Sequence, residues 1–295
     1  MSATSDGDSI MKSATSFNNH VEWGLACASG VCPDSGDASR RAFLAISGLL
    51  FAVSAMATVL WCNSMSEMGE MRMPGGWTMS MAWRRMPGQT WIEAAAWFLA
   101  MWIVMMAAMM LPSLAPMLGR YRQAVRCTGE SRLAPLTVLA GLGYFFVWAL
   151  FGLAVFPLGV ALATAGMEHS EVACAVPVAV AVVVLLAGAV QLTSWKAHHL
   201  ACCREMPARG ATLPADAGTA WRQGVRLGLH CGLSCANLTA ILLVVGVMDL
   251  RAMALVTAAI TAERLAPAGK TVARAIGVVV IGAGLLLIAQ SAGLR

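Results

Sequence analysis

Six runs of about 20 apolar residues dominate the chain, at 42–60, 91–111, 136–160, 172–195, 227–248 and 271–290. A helix needs about 20 such residues, rising 1.5 Å each, to cross the hydrocarbon core of a bilayer. A seventh run, 252–266, is short: it either crosses at a thin point or is re-entrant. The expected fold class is therefore all-α, a polytopic transmembrane helical bundle of six or seven spans. Composition agrees. The chain is 59% hydrophobic and 12% charged, with a mean hydropathy of +0.71, whereas soluble domains are roughly 45–50% apolar and about 25% charged. Trp61, Trp91 and Trp195 fall at span ends, where interfacial anchors belong.

Basic residues set the expected orientation. Arg40 and Arg41 precede the first span, and Arg120, Arg122, Arg126 and Arg132 follow the second. Lys196, Arg204, Arg209, Arg222 and Arg226 follow the fourth, and Arg264 and Lys270 follow the short run. The loop after the third span carries Glu168, His169 and Glu171 without Lys or Arg. Because Lys and Arg accumulate on the cytoplasmic side, the N-terminus is expected inside and the protein in the cell inner membrane. Arg72, Arg84 and Arg85 run against this alternation, but their loop must lie outside if its neighbours lie inside.

Residues 1–39 are polar and small and read as a disordered tail. Residues 40–295 read as one transmembrane domain with an outer Met-rich loop, 62–90, and an inner Cys/His loop, 196–226. Cys27 and Cys32 in the tail lack further zinc ligands beyond His20. Nine scattered cysteines do not make a disulfide framework. A basic stripe with interleaved aromatics is missing, so nucleic acid is not an expected partner. The bilayer and a metal ion are, and the sequence names no protein partner. There is no nucleophile elbow, phosphate loop, haem attachment motif or HExxH, hence no positive argument for a hydrolase or an NTP-driven pump.

The candidate metal ligands fall into three groups. The outer loop holds Met65, Met68, Met71, Met73, Met79, Met81 and Met86. Thioethers two or three residues apart on a flexible chain, with a turn at Pro74, Gly75 and Gly76, suit a soft ion such as Cu(I). The alternative is an amphipathic loop lying on lipid. Within the second span, Met101, Met105 and Met109 recur every four residues and share one helix face, while Met106 pairs with Met110. That stripe either hands a soft cation inward or simply packs. Pro112 and Pro116 should end or kink this helix near the inner face.

The inner group is His198, His199, Cys202 and Cys203 just past the fourth span, with His230, Cys231 and Cys235 opening the fifth. On helices, His198 and Cys202 share a face, as do His199 and Cys203, and Cys231 and Cys235. Thiolate and imidazole suit copper or zinc; ordinary buried Cys and interfacial His are the bland alternative. Glu263 is an acid at membrane depth, where ionisable groups are paired or functional. Arg264, Lys270 and Arg274 are its expected partners, and metal ligation is the other reading. Glu93 opens the second span and reads as structural.

Three stretches together, GGWTMSMAWRRMPGQTW followed by MWIVMMAAMMLPSLAPML, then QLTSWKAHHLACCRE, then LGLHCGLSCANLTAILLVVGVMDLRAMALVTAAITAERLAP, carry a resemblance. They resemble a bacterial family of predicted metal-binding integral membrane proteins of unknown function, over most of residues 70–285. That resemblance places a Cys and basic pattern on Lys196, Cys202, Cys203 and Arg204, and a cysteine cluster on Cys231, Ser234, Cys235 and Ala236. Ser234 and Ala236 depart from the family's Cys and Trp, leaving one thiol fewer. Gly246, Val247, Met248 and Glu263 fit the pattern. The resemblance implies membrane location and a metal, without a reaction. The Met spacing of the second span also resembles that of eukaryotic copper transporters, with a different span count, so the likeness is between sites.

The expected function is metal handling or transport by an integral membrane protein that binds copper as Cu(I), with zinc as the alternative ion. Outer thioethers capture, Met101, Met105 and Met109 line or flank a path, and inner Cys and His receive. The rival readings are a membrane subunit of a metal-dependent oxidoreductase assembly and a scaffold that binds no metal.

Overall fold

A computed structural model describes residues 37–67, 71–72, 77–79, 83, 85, 88–126, 132–207 and 212–291. Among these lie eight helices: α1 (Asp37–Glu67), α2 (Trp91–Arg126), α3 (Leu133–Glu168), α4 (Ser170–Gln191), α5 (Ser194–Glu205), α6 (Ala217–Val245), α7 (Leu250–Leu265) and α8 (Gly269–Ser291). Two short strands, β1 (Met71–Arg72) and β2 (Thr78–Met79), pair antiparallel between α1 and α2, with Met71 opposite Met79. The polar tail expected over 1–39 lies almost wholly outside the described residues.

Six of the helices, α1, α2, α3, α4, α6 and α8, are long and apolar enough to cross a membrane. The seventh run forms α7, whose 16 residues make a rod of about 24 Å at 1.5 Å per residue, so it is not one of the six. α7 nevertheless runs the depth of the bundle. Met248, just before it, lies 3.8 Å from Cys62 near the end of α1. At its other end, Arg204 on α5 donates to the carbonyls of Glu263 and Ala266. Arg122, late in α2, reaches Ser39 at the start of α1. The chain therefore passes seven times between two ends. The near end carries α5, the close of α2 and the start of α8; the far end carries the close of α1, β1–β2 and the α6–α7 turn.

Capping chemistry sets the breaks. Thr193 caps α5 by accepting from the Lys196 N–H, which separates α5 from α4 after Gln191. Asp216 caps α6 by accepting from the Thr219 N–H. Gly246, at φ 144°, closes α6 in a conformation that side chains resist, and Asp249 caps α7 three residues later. Pro112 and Pro116, expected to end or kink this helix, do not end it: α2 continues through both to Arg126. Proline is tolerated in a membrane-type helix where neighbouring groups take up the freed backbone.

Close backbone approach holds the bundle together. A Cβ on Gly224 of α6 would overlap the Ala140 backbone of α3, and one on Gly143 of α3 would sit 2.8 Å from the Trp221 carbonyl. Gly188 of α4 and Gly277 of α8 face each other in the same way. Small residues at such crossings let apolar helices pack without a hydrophobic drive between them. α2 is the core element: its buried side chains run from Ala94 to Val125. The apolar stretch of α1, by contrast, buries none of its residues inside the protein.

Candidate metal centre

The sulfur-bearing residues sort by end. On α2, Met101, Met105, Met106, Met109 and Met110 are all buried in the main core, and Met117 extends the series toward the near end. Sixteen residues separate Met101 from Met117, about 24 Å of helix. Met117 Sδ lies 3.9 Å from Cys203 Sγ on α5.

The near-end ligand candidates do not gather on one point. His198 and Cys202 share an exposed face of α5, with Nε2 3.6 Å from Sγ. His199 instead faces His230 of α6, with the two Nδ1 atoms 3.2 Å apart. Burial and then the nearby His198 lower the His199 pKa from its ordinary value. Cys203 lies in the core, where burial pushes its thiol up to about 11 against the pull of Arg264. Among the described residues, no three His, Cys, Asp or Glu side chains converge as a preformed metal site.

Cys231 and Cys235 sit instead in a polar knot. Arg264 Nη2 donates to Cys231 Sγ at 2.9 Å and to the Cys231 carbonyl and Ser234 Oγ at 3.2 Å. Arg264 Nη1 donates to Ser113 Oγ at 3.1 Å. Tyr144 shares a hydrogen bond of 2.7 Å with Cys231 Sγ, and Cys235 Sγ donates to the Cys231 carbonyl. Beside the knot, Glu263 pairs with Lys196, Oε2 to Nζ 2.8 Å, with both side chains buried. Gln191 donates to Glu263 Oε1, and Lys196 also donates to the Ser234 carbonyl. The partners expected for Glu263 are Arg264, Lys270 and Arg274; the fold supplies Lys196 and Gln191 instead. Sequence neighbours on a helix diverge by about 100°, so Arg264 turns to Ser113 and the thiols while Glu263 turns to α4 and α5. Glu263 is thus engaged by a cation and an amide.

The far end is built differently. Met65 is partly buried near the close of α1, and Met71 and Met79 occupy the paired strands. Met68, Met73, Met81 and Met86 lie outside the described residues. Sequence reasoning misses Cys62, which is buried and meets Met248 across the bundle. These two residues, with Met101, Met105, Thr58 and Trp61, line a small cavity of about 10 Å³. A Cys closing an apolar helix beside a Met-rich loop is visible in the sequence, but its partner lies 186 residues on.

The donor types fit a soft cation. Neutral thioethers, thiols and imidazoles favour Cu(I) and disfavour the oxygen-seeking ions. No curated protein and no solved structure matches the chain. A family model described as PpoB2, copper chaperone, matches residues 99–287, well over half of the 295 residues, from the first turns of α2 almost to the end of α8. The chain belongs to this copper chaperone family.

Proposed function

We propose that this protein handles Cu(I) as an inner-membrane protein, taking the ion from the outer side and holding or passing it toward the cytoplasmic side. One observation carries the reading. Buried methionines on α2, a run from Met101 to Met110 and then Met117 about two turns further, lie between a thiol at the far end, Cys62, and a thiol at the near end, Cys203. Packing alone explains methionines in a core. It does not account for a cysteine beside a methionine sulfur at each end, within a copper chaperone family.

In this reading the far end faces outward. Arg120, Arg122, Arg126 and Arg204 lie at the near end, as expected of a cytoplasmic face, and Trp61, Trp91 and Trp97 crowd the opposite end. Met65, Met71 and Met79, with their neighbours in the loop, collect the ion. Met101, Met105 and Met109 carry it along α2. Cys203 and Met117 receive it, and the exposed His198–Cys202 pair releases it. Thioether to thiolate is a gradient of increasing affinity, because the thiolate adds a charge that neutralises the cation. Zinc fits worse, since a divalent ion among thioethers leaves net charge in an apolar interior. Lys196–Glu263 and Arg264 are positioning groups that brace the near-end thiols.

Two experiments test this. Protein purified without added metal and then loaded anaerobically with Cu(I) is expected to retain copper over zinc by mass spectrometry. The double variant Cys202→Ser, Cys203→Ser is expected to retain less. A preparation with no copper, or equal zinc, contradicts the reading. For sidedness, Cys174 is exposed at the far end and Cys202 is partly exposed at the near end. In chains keeping only one of them, an impermeant maleimide should label Cys174 in intact spheroplasts and Cys202 only after permeabilisation. Labelling of both from one side contradicts the orientation.

A further inference from the structure

Cys62, Met101, Met105 and Met248 come from three separate elements: the close of α1, the outer turns of α2 and the α6–α7 turn. Cys62 Sγ and Met248 Sδ are 3.8 Å apart. For a d¹⁰ ion with bonds of about 2.3 Å to sulfur, two ligating sulfurs stand about 3.8 Å apart at a tetrahedral angle and about 4.0 Å at a trigonal one. The pair is already at ligand spacing. The cavity they share, about 10 Å³, admits one small occupant. Water needs about that volume and two to four polar partners. The lining offers it little, because the Thr58 hydroxyl already donates to the Ser54 carbonyl.

From this geometry we propose that Cys62, Met101, Met105 and Met248 form a specific Cu(I)-binding site at the far end of the bundle. The inference deepens the copper reading above and rests on it. On binding, the Cys62 S–H bond breaks and an S–Cu bond forms. The proton leaves to water at the far end, and the three thioethers add lone pairs. Copper stays in the +1 state throughout. The loaded site is neutral, one thiolate against one monovalent cation, which suits a lining of six uncharged side chains. Selectivity for soft ions thus follows from the donors, one thiolate and three thioethers. Binding also ties α1, otherwise packed mainly on α2, to the α6–α7 turn.

The test uses full-length protein in detergent, with Cu(I) set by a competing chromophoric chelator and Ag(I) as a redox-inert stand-in. Two backgrounds are compared: the native chain, and one with Cys202, Cys203, Cys231 and Cys235 all replaced by Ser. The site predicts one Cu(I) per chain surviving in the second background, with sulfur-only scattering at about 2.3 Å in X-ray absorption. Cys62→Ser should weaken that ion by at least about 100-fold, since even outer partners of metal ligands cost about 10–100-fold. Met248→Leu keeps the volume and should weaken it by at least about tenfold without lowering the apo melting temperature. Ag(I) should raise the melting temperature in a Cys62-dependent way, and Zn(II) should not. If the native chain binds Cu(I) but Cys62→Ser and Met248→Leu leave affinity unchanged, this site is wrong and the copper reading stands. If no variant or native chain binds Cu(I), both fall. Should the four-Ser background not fold, Cys62→Ser and Met248→Leu in the native chain decide the same question through the loss of one equivalent.

Discussion

The two ends of the bundle hold the same kinds of sulfur in opposite surroundings. At the near end, Cys231 is gripped by Arg264 and Tyr144, beside the buried Lys196–Glu263 pair. At the far end, Cys62 faces thioethers in a cavity lined without formal charge. The near-end knot is a structural brace first: Lys196 and Glu263 satisfy each other, Arg264 is held by hydroxyls, a carbonyl and thiols, and removing one member of the ion pair strands the other in the core. At the far end Cys62 meets the Met248 thioether and lies within the field of Asp249, so a cation displaces a thiol proton there and breaks no ion pair. Among sulfur clusters in one protein, electrostatic engagement separates those that hold the fold from those open to a ligand.

The largest expected effect comes from breaking the near-end brace. Glu263→Ala leaves Lys196 buried without its anion and is expected to cost about 3–5 kcal/mol, read as loss of folded protein in size-exclusion and thermal melts. The double variant Lys196→Met, Glu263→Leu should recover much of that loss, as apolar replacement of a buried pair does. Equal damage from single and double variants would break the claim that charge pairing organises this end. Next, Gly224→Val should push α6 from α3, because its side chain collides with the Ala140 backbone; overpacking of this kind costs about 1–3 kcal/mol or more. At the far end the same measurement should barely move. Met105→Leu preserves volume and should cost under about 1.5 kcal/mol, while lowering Cu(I) retention. A fall in stability with no change in copper would assign Met105 to packing alone.

The smallest effect is a pH effect at neither sulfur site. Hydrogen bonds from the Thr219 hydroxyl and N–H lower the Asp216 pKa from its ordinary value. A folded-state pKa below the unfolded one gives stability that is full above the unfolded value and disappears as pH falls through the folded one. Wild type should therefore melt a little higher than Asp216→Ala at pH 7. The gap should close as pH drops below about 4, the range of an unperturbed aspartate. A gap that persists in acid would point to packing instead of the charged cap.

Much of this architecture is legible in the sequence, and for a definite reason. Apolar runs near 20 residues report membrane-type helices directly, and six of them form long apolar helices. The i, i+4 pattern puts Met101, Met105 and Met109 on one buried face of α2, and it puts His198 beside Cys202. Contacts between distant segments are not legible. Periodicity places a residue on a face but does not say which helix that face meets. Hence Glu263 reads as a partner of nearby cations when its partner is Lys196, and Cys62 escapes notice because Met248 stands far along the chain. His199 and Cys203 share a helix face by spacing, yet one turns to His230 and the other to Met117. Pro112 and Pro116 read as ending or kinking the helix, and of the two the structure excludes an end: α2 runs on past Pro116 to Arg126.

If sulfur holds Cu(I) at both ends of one bundle, as proposed, copper stoichiometry reports it directly. Four proteins would be loaded anaerobically and washed with chelator: the native chain, Cys62→Ser, Cys203→Ser and the double variant. Two Cu(I) per chain are expected in the native protein, then one, one and none in the variants. The same copper content in all four, or none in any, would contradict it.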